Sequence, residues 1–157
     1  MINLDFSYND KGTRFFDNYM HENAVIAVIL YIADEQQTRK HYGGVGCSNE
    51  PELAIEDFYS VHENVPERYF QRVKHYSINF KELVDRNKAE EYARKIAEFF
   101  APDFQVFYGI HVKNHRTHIH FCVNTINCND YSMMPLDFEY SQKFFQYIQS
   151  IGVLSNL

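Results

Sequence analysis

The stretch YGIHVKNHRTHIHFCVN, Tyr108–Asn124, holds four of the chain's eight histidines and decides how the sequence folds. DFQVFYGIHV and THIHFCVNTIN are two β-rich runs separated by the four-residue loop KNHR. Strands joined by so short a link pair antiparallel. If Val112 pairs with Thr117, His111 lies opposite His118 and Gly109 opposite His120. Strand alternation then puts Phe107, Gly109, His111, His118, His120, Cys122 and Asn124 on one face. The other face carries Val106, Tyr108, Ile110, Val112, Ile119, Phe121 and Val123. It is wholly apolar and is the expected core side, covered by helices.

Cross-strand side chains stand ~5 Å apart, and i/i+2 neighbours ~7 Å. Three imidazoles at such spacing can converge on one divalent ion. Gly109, lacking a side chain, is expected to leave room beside His120 for an ion or a substrate. His115, in the loop, reads as a surface residue. Cys122 shares the histidine face, but a free buried thiol is its commoner role. Three protein ligands leave coordination positions open, the mark of a catalytic rather than a structural site. Nitrogen ligands suit Mn, Fe, Co, Ni, Zn or Cu better than Mg. Such an ion activates water or polarises a phosphate oxygen.

Outward from the hairpin, 157 residues with 45% apolar and 17% aromatic content suit one globular domain with a proper core. Cys47, Cys122 and Cys128 are too few and too scattered for a disulfide framework, which suits a reducing, cytoplasmic setting. The apolar run Ala24–Ala33 is about half a membrane span and lacks a basic flank, so it reads as a buried element rather than an anchor or leader. The net charge of −6 counts against a nucleic-acid partner. Arg68, Arg72, Lys74, Lys113 and Arg116 are candidates for a local basic patch on that acidic body.

INLDFSY alternates and predicts a strand. AVIAVILYIADE fits either a strand or a buried helix. HYGGVGCS reads as a glycine-rich loop or short strand, and no Gly-Lys-Ser/Thr follows, so it is no phosphate loop. SNEPELAIEDFYSV predicts a helix entered at Pro51, with Leu53, Phe58 and Val61 on one face. VKHYSINF predicts a strand with Tyr76, Ile78 and Phe80 on one side and His75, Ser77 and Asn79 on the other. NKAEEYARKIAEFF predicts a helix capped at Asn87 through Glu90, with Tyr92, Ile96 and Phe99/Phe100 as its stripe and Pro102 as its stop. DFEYSQKFFQYIQSIG predicts another, with Phe144, Ile148 and Ile151 buried and Gly152 closing it. The expected class is α+β: a single domain with a central antiparallel sheet, helices packed mainly on one face and the metal site on the other.

The pattern His111-x6-His118-x-His120, with its literal His-Ile-His, resembles the histidine motif of conjugative relaxases. These are mobilisation nucleases of the His-hydrophobe-His endonuclease superfamily. The likeness runs along nearly the whole chain. VILYIADEQQT and YGGVGCSNEPELAIEDF are similar to the family's tyrosine-bearing helix and the loop and helix after it. VKHYSINF, NKAEEYARKIAEFFAPDFQVFYGIHV and SQKFFQYIQSIGVLSNL resemble later blocks in the family's order, the last ending in a closing strand. The resemblance implies a nuclease domain over residues 1–157, as an N-terminal piece of a longer protein or a small relative. It implies nicking and rejoining of one DNA strand at an origin of transfer, with Tyr31 as nucleophile and Tyr19 and Tyr42 as spares. His111, His118 and His120 would hold the metal (Mn, Mg, Zn or similar), with His75, Lys113 and Asn124 lining the site. Single-stranded DNA and accessory mobilisation proteins would be partners, with no membrane. The chain departs from the family at Lys113, where relaxases usually carry an acid that orients a metal-binding histidine. A rolling-circle initiator using Tyr140 or Tyr147, a catalytically silent binding relative and a water-activating hydrolase are the alternatives.

Overall fold

The histidine hairpin forms the middle of a five-stranded sheet. A computed structural model describes residues 4–9, 19–80 and 83–151, with residues 4–9 described as backbone only. Its strands are β1 (Leu4–Asn9), β2 (Tyr42–Val45), β3 (Val73–Phe80), β4 (Val106–Lys113) and β5 (Arg116–Asn124). Its helices are α1 (Ala24–Ile32), the single turn α2 (Glu35–Thr38), α3 (Pro51–His62), α4 (Arg86–Ala97) and α5 (Phe138–Ser150). All neighbours pair antiparallel, in the order β1-β3-β5-β4-β2. The hairpin register is the expected one: Gly109 pairs with His120, His111 with His118 and Val112 with Thr117. The strands continue one pair further, to Lys113 and Arg116, so the turn is only Asn114–His115. Both turn residues are left-handed, at φ 54° and 59°, as a two-residue turn matching the strand twist requires.

The apolar face packs under α4 and α5. Tyr76, Ile78, Tyr108, Ile110, Ile119, Phe121 and Val123 meet Ala89, Ala93, Ile96 and Ala97 of α4 and Phe144 and Ile148 of α5. Small residues on α4 let its axis approach the sheet, and Phe144 fills the space left, its ring tilted against those of Tyr76 and Phe100. Each fully buried side chain of this size contributes about 1.5–3 kcal/mol. Asp137 caps α5, its carboxylate accepting from the Tyr140 amide at 2.9 Å. The cap of α4 is Asp85, not Asn87: the helix begins at Arg86, two residues earlier than the Asn87–Glu90 pairing predicts. It ends at Ala97, and Phe99 and Phe100 pack from the turn beyond it.

The histidine face is divided along the strand direction. At one end Val73, Phe107 and Cys122 are roofed by Val25, Val28, Ile29 and Ile32 of α1 and Ala54 and Phe58 of α3. At the other end stand the histidines. The run Ala24–Ile32 is thus a helix, and HYGGVGCS contributes the short edge strand β2. On α3, Ala54 rather than Leu53 faces inward, and Leu53 is exposed. Lys74 is fully buried, because β3 alternation turns it to the same side as Tyr76; it is no part of a surface patch. Gly152 and the expected strand after it lie outside the described residues. Among the described residues no helix is long and apolar enough to cross a membrane.

Candidate active site

Three strands bring the rings together. His111 projects from β4, His118 and His120 from β5, and His75 from β3, where it pairs with Cys122, two residue pairs from the row of His120 and Ser77. Ring centroids lie 5.4 Å apart for His111–His118, 4.4 Å for His111–His120 and 5.0 Å for His118–His120. One ligating atom from each of the three falls within 4.8 Å of the others. His111 and His120 are 2% and 8% exposed, while His118 opens toward solvent.

The hydrogen bonds fix which nitrogens are free. His111 Nε2 lies 2.9 Å from the Ile32 carbonyl. A carbonyl only accepts, so Nε2 carries the proton and Nδ1 keeps a bare lone pair. That carbonyl is available because it belongs to the last turn of α1, whose oxygens lack helical partners. His120 Nδ1 lies 2.9 Å from His75 Nε2, and the Tyr19 hydroxyl 3.4 Å from His75 Nδ1. His120 Nε2 is buried with no hydrogen-bond partner. A buried orphan nitrogen beside two further imidazoles is what a divalent ion would satisfy, so the residues fit one. When His120 binds through Nε2, its Nδ1 proton points to His75, which orients the ring as an outer partner does in metal sites.

Burial keeps these imidazoles neutral. Burial, then the charges of His111, His75 and His118, push His120 down to about 2. Burial, with His111 and Lys113 nearby, pushes His118 down to about 4. Burial likewise lowers His75 to about 4 and depresses His111, the latter against the Ile32 carbonyl and Asp34. Neutral imidazole is the form that binds metal. Burial raises the thiol of Cys122 far above its usual value and that of Cys47 to about 12, so neither offers a thiolate.

Over the rings stands Tyr31, 54% exposed at the end of α1. Its ring meets His75, His111 and His120 edge-on at 6.0, 5.5 and 5.4 Å. Tyr19 is buried against His75, and Tyr42 packs on Phe107 from β2. Tyr140 and Tyr147 belong to α5, across the sheet from the histidines, and pack against Phe99. His115 is exposed at the turn. Asn124 shares the histidine face but lies at its roofed end. There it accepts from His62 Nε2 at 2.8 Å and donates to Gln105 at 2.8 Å, bracing α3 rather than joining the rings.

Gly109 does not leave a space for an ion. A Cβ there would lie 2.3 Å from the Ile32 carbonyl oxygen and 2.8 Å from Ile32 Cγ2. The missing side chain instead lets the end of α1 settle onto the sheet, which sets both Tyr31 and the carbonyl that holds His111. The two partners that sequence reasoning missed, the Ile32 carbonyl and Tyr19 as a neighbour of His75, leave no side-chain motif; the glycine opposite His120 was the one signal of a close approach. Of the basic residues, Lys113 and Arg116 stand together at the hairpin tip. Arg68 and Arg72 line a separate groove before β3, where Arg72 lies over the Phe70 ring at 3.7 Å.

No curated protein matches the chain. A family model described as relaxase, MobA/VirD2-like, nuclease domain matches residues 31–151. With most of its length matched, from Tyr31 over the histidines to Ile151 just past α5, this chain belongs to the MobA/VirD2-like relaxase nuclease domain family.

Proposed function

We propose that residues 1–157 form a nuclease domain that nicks and rejoins one strand of DNA at an origin of transfer, in plasmid mobilisation. The Tyr31 hydroxyl attacks the scissile phosphorus. A bond forms from the tyrosine oxygen to phosphorus, and the bond from phosphorus to the 3′ oxygen breaks. The phenolic proton passes to water, the departing oxygen takes one up, and a 5′-phosphotyrosine and a free 3′-OH result. Attack by a 3′-OH reverses the step without ATP, because the phosphodiester is conserved as a phosphotyrosine ester. A divalent ion held by His111, His118 and His120 would offset the charge that builds on the phosphate oxygens. Such help matters because a phenol with a pKa of ~10 is a weak nucleophile at neutral pH.

The supporting observation is the half-exposed Tyr31 ring, edge-on to three imidazoles at 5.4–6.0 Å and accessible to a strand from outside. His75 would orient His120, the part that the family acid plays and Lys113 does not. Single-stranded DNA is the substrate, and accessory mobilisation proteins are the expected partners at the origin. The position of Tyr140 and Tyr147 across the sheet speaks against the rolling-circle arrangement. Lys113 favours a second reading, a silent DNA-binding relative, which the same experiment separates.

That experiment is incubation with 3′-end-labelled single-stranded DNA of randomised sequence and Mn²⁺, then denaturing electrophoresis, since the 5′-phosphotyrosine adduct keeps the fragment that carries the 3′ end. A labelled band at the protein's position is expected, lost in Tyr31→Phe and kept in Tyr140→Phe. An adduct that survives in Tyr31→Phe would overturn the assignment; cleavage without any adduct would mean hydrolysis by water.

A further inference from the structure

We propose that Lys113 and Arg116 form a cationic clamp on the DNA backbone, gripping the phosphate next to the one presented to the histidines. The clamp rests on the nuclease reading and adds residues to it.

The two side chains are cross-strand partners at the last pair of the hairpin. Lys113 lies two residues beyond His111 on β4, and Arg116 two residues before His118 on β5. By strand alternation both therefore stand on the histidine face, ~7 Å along the strands from the His111–His118 row. That is the open end of the site, away from the roof of α1 and α3. A groove of ≈ 480 Å³ lies there, lined by Asn79, Lys113, Asn114, Arg116, Thr117 and His118. Since His118 is shared, a strand reaching the metal ligands from this end must cross the two cations.

Three further features point to phosphate rather than to a base or a protein carboxylate. Lys113 and Arg116 are exposed, and neither makes an ion pair with any of the described residues. The chain carries a net −6, so a polyanion needs a local cationic anchor such as this pair to approach it. The aromatic residue of the groove wall, Phe80, is buried, so it offers no exposed ring for stacking a base. The tight left-handed turn at Asn114–His115 holds the two cations at fixed separation, so little backbone order is lost on binding. On this account Lys113 is not a damaged copy of an acid. The orienting contact comes from His75, and the vacated position serves the substrate.

The test uses the full chain in a Tyr31→Phe background, which binds without cutting, with Mn²⁺ and a fluorescein-labelled single-stranded oligonucleotide of randomised sequence. Anisotropy is read across a salt series. Lys113→Gln with Arg116→Gln should weaken binding at low salt by about ten-fold and reduce the salt slope by about 0.7 for each cation removed. Mn²⁺ affinity, followed by electron paramagnetic resonance, should not weaken, which separates an absent clamp from a damaged metal site. Lys88→Gln with Lys143→Gln, on helices across the sheet, should change neither reading. If the double variant binds with the parent's affinity and slope, the clamp is wrong while the nuclease reading stands. If the parent itself binds no oligonucleotide, the nuclease reading falls and takes the clamp with it.

Discussion

The ring of Tyr31 lies 5.4 Å from that of His120, their planes crossing at 83°. A phenol held this way is oriented by ring contact alone: among the described residues its hydroxyl has no hydrogen-bond partner. Tyr31→Phe should therefore abolish covalent capture of DNA while changing folding stability by no more than about 0.5 kcal/mol. Thermal melting beside the gel assay checks both halves. A large drop in melting temperature would mean the hydroxyl has a structural task.

His75 touches His120, not the predicted ion position. His75→Ala should lower Mn²⁺ affinity by roughly 10- to 100-fold, the usual effect of removing the group that orients a metal-bound histidine. His120→Ala should cost more, since a ligand itself disappears. Titration calorimetry with Mn²⁺ on the two variants gives the order; equal affinity of His75→Ala and parent would show that the 2.9 Å contact does not orient the ring.

Gly109→Ala sets a methyl against a backbone carbonyl that no rotamer change can move. The end of α1 must lift, at a cost of about 1–3 kcal/mol in stability. Adduct formation should fall further than that destabilisation explains, because Tyr31 rises with the helix. Gly46→Ala, where a Cβ has 3.7 Å of clearance but φ is +78°, is the comparison: it should lose stability without losing adduct.

His62 supplies a pH dependence separate from the metal ligands. Burial lowers it to about 4, only partly opposed by its bond to Asn124, and its Nδ1 has no partner. In the unfolded chain it titrates near 6.5. Above that pH both states hold it neutral and the fold keeps its full stability. Between 6.5 and about 4 the unfolded chain takes the proton first, so stability falls with pH by roughly 3 kcal/mol and levels below. The cluster histidines titrate in the same window, so the His62 share is the difference between parent and His62→Gln. Denaturant melts of the two from neutral pH to pH 4 should converge as pH falls.

Alternation and a short loop were enough to read the hairpin register, the two faces and the convergence of His111, His118 and His120. Those features depend on local pattern and on the two-residue period of a strand. The run Ala24–Ile32 was not decidable because its exposed side is also apolar. Val25, Val28, Ile29 and Ile32 form a proper buried stripe, but Ile26, Leu30 and Tyr31 on the outside hide it. Asn124 was misplaced for a different reason. Parity assigns a residue to a face but not to a position along it, and the roof of α1 and α3 closes one end. The Ile32 carbonyl is backbone, and no pattern of side chains announces it.

Tyr31 and Ile32 are consecutive. One extends its phenol over the imidazoles; the other lends its oxygen to His111. Unwinding the final turn of α1 would withdraw both at once. On the proposed reaction, a partly opened chain would be disarmed rather than half-active, since the phenol over the imidazoles and the carbonyl that orients His111 would leave together. The proposed safeguard against stray strand breaks would thus rest on two consecutive residues.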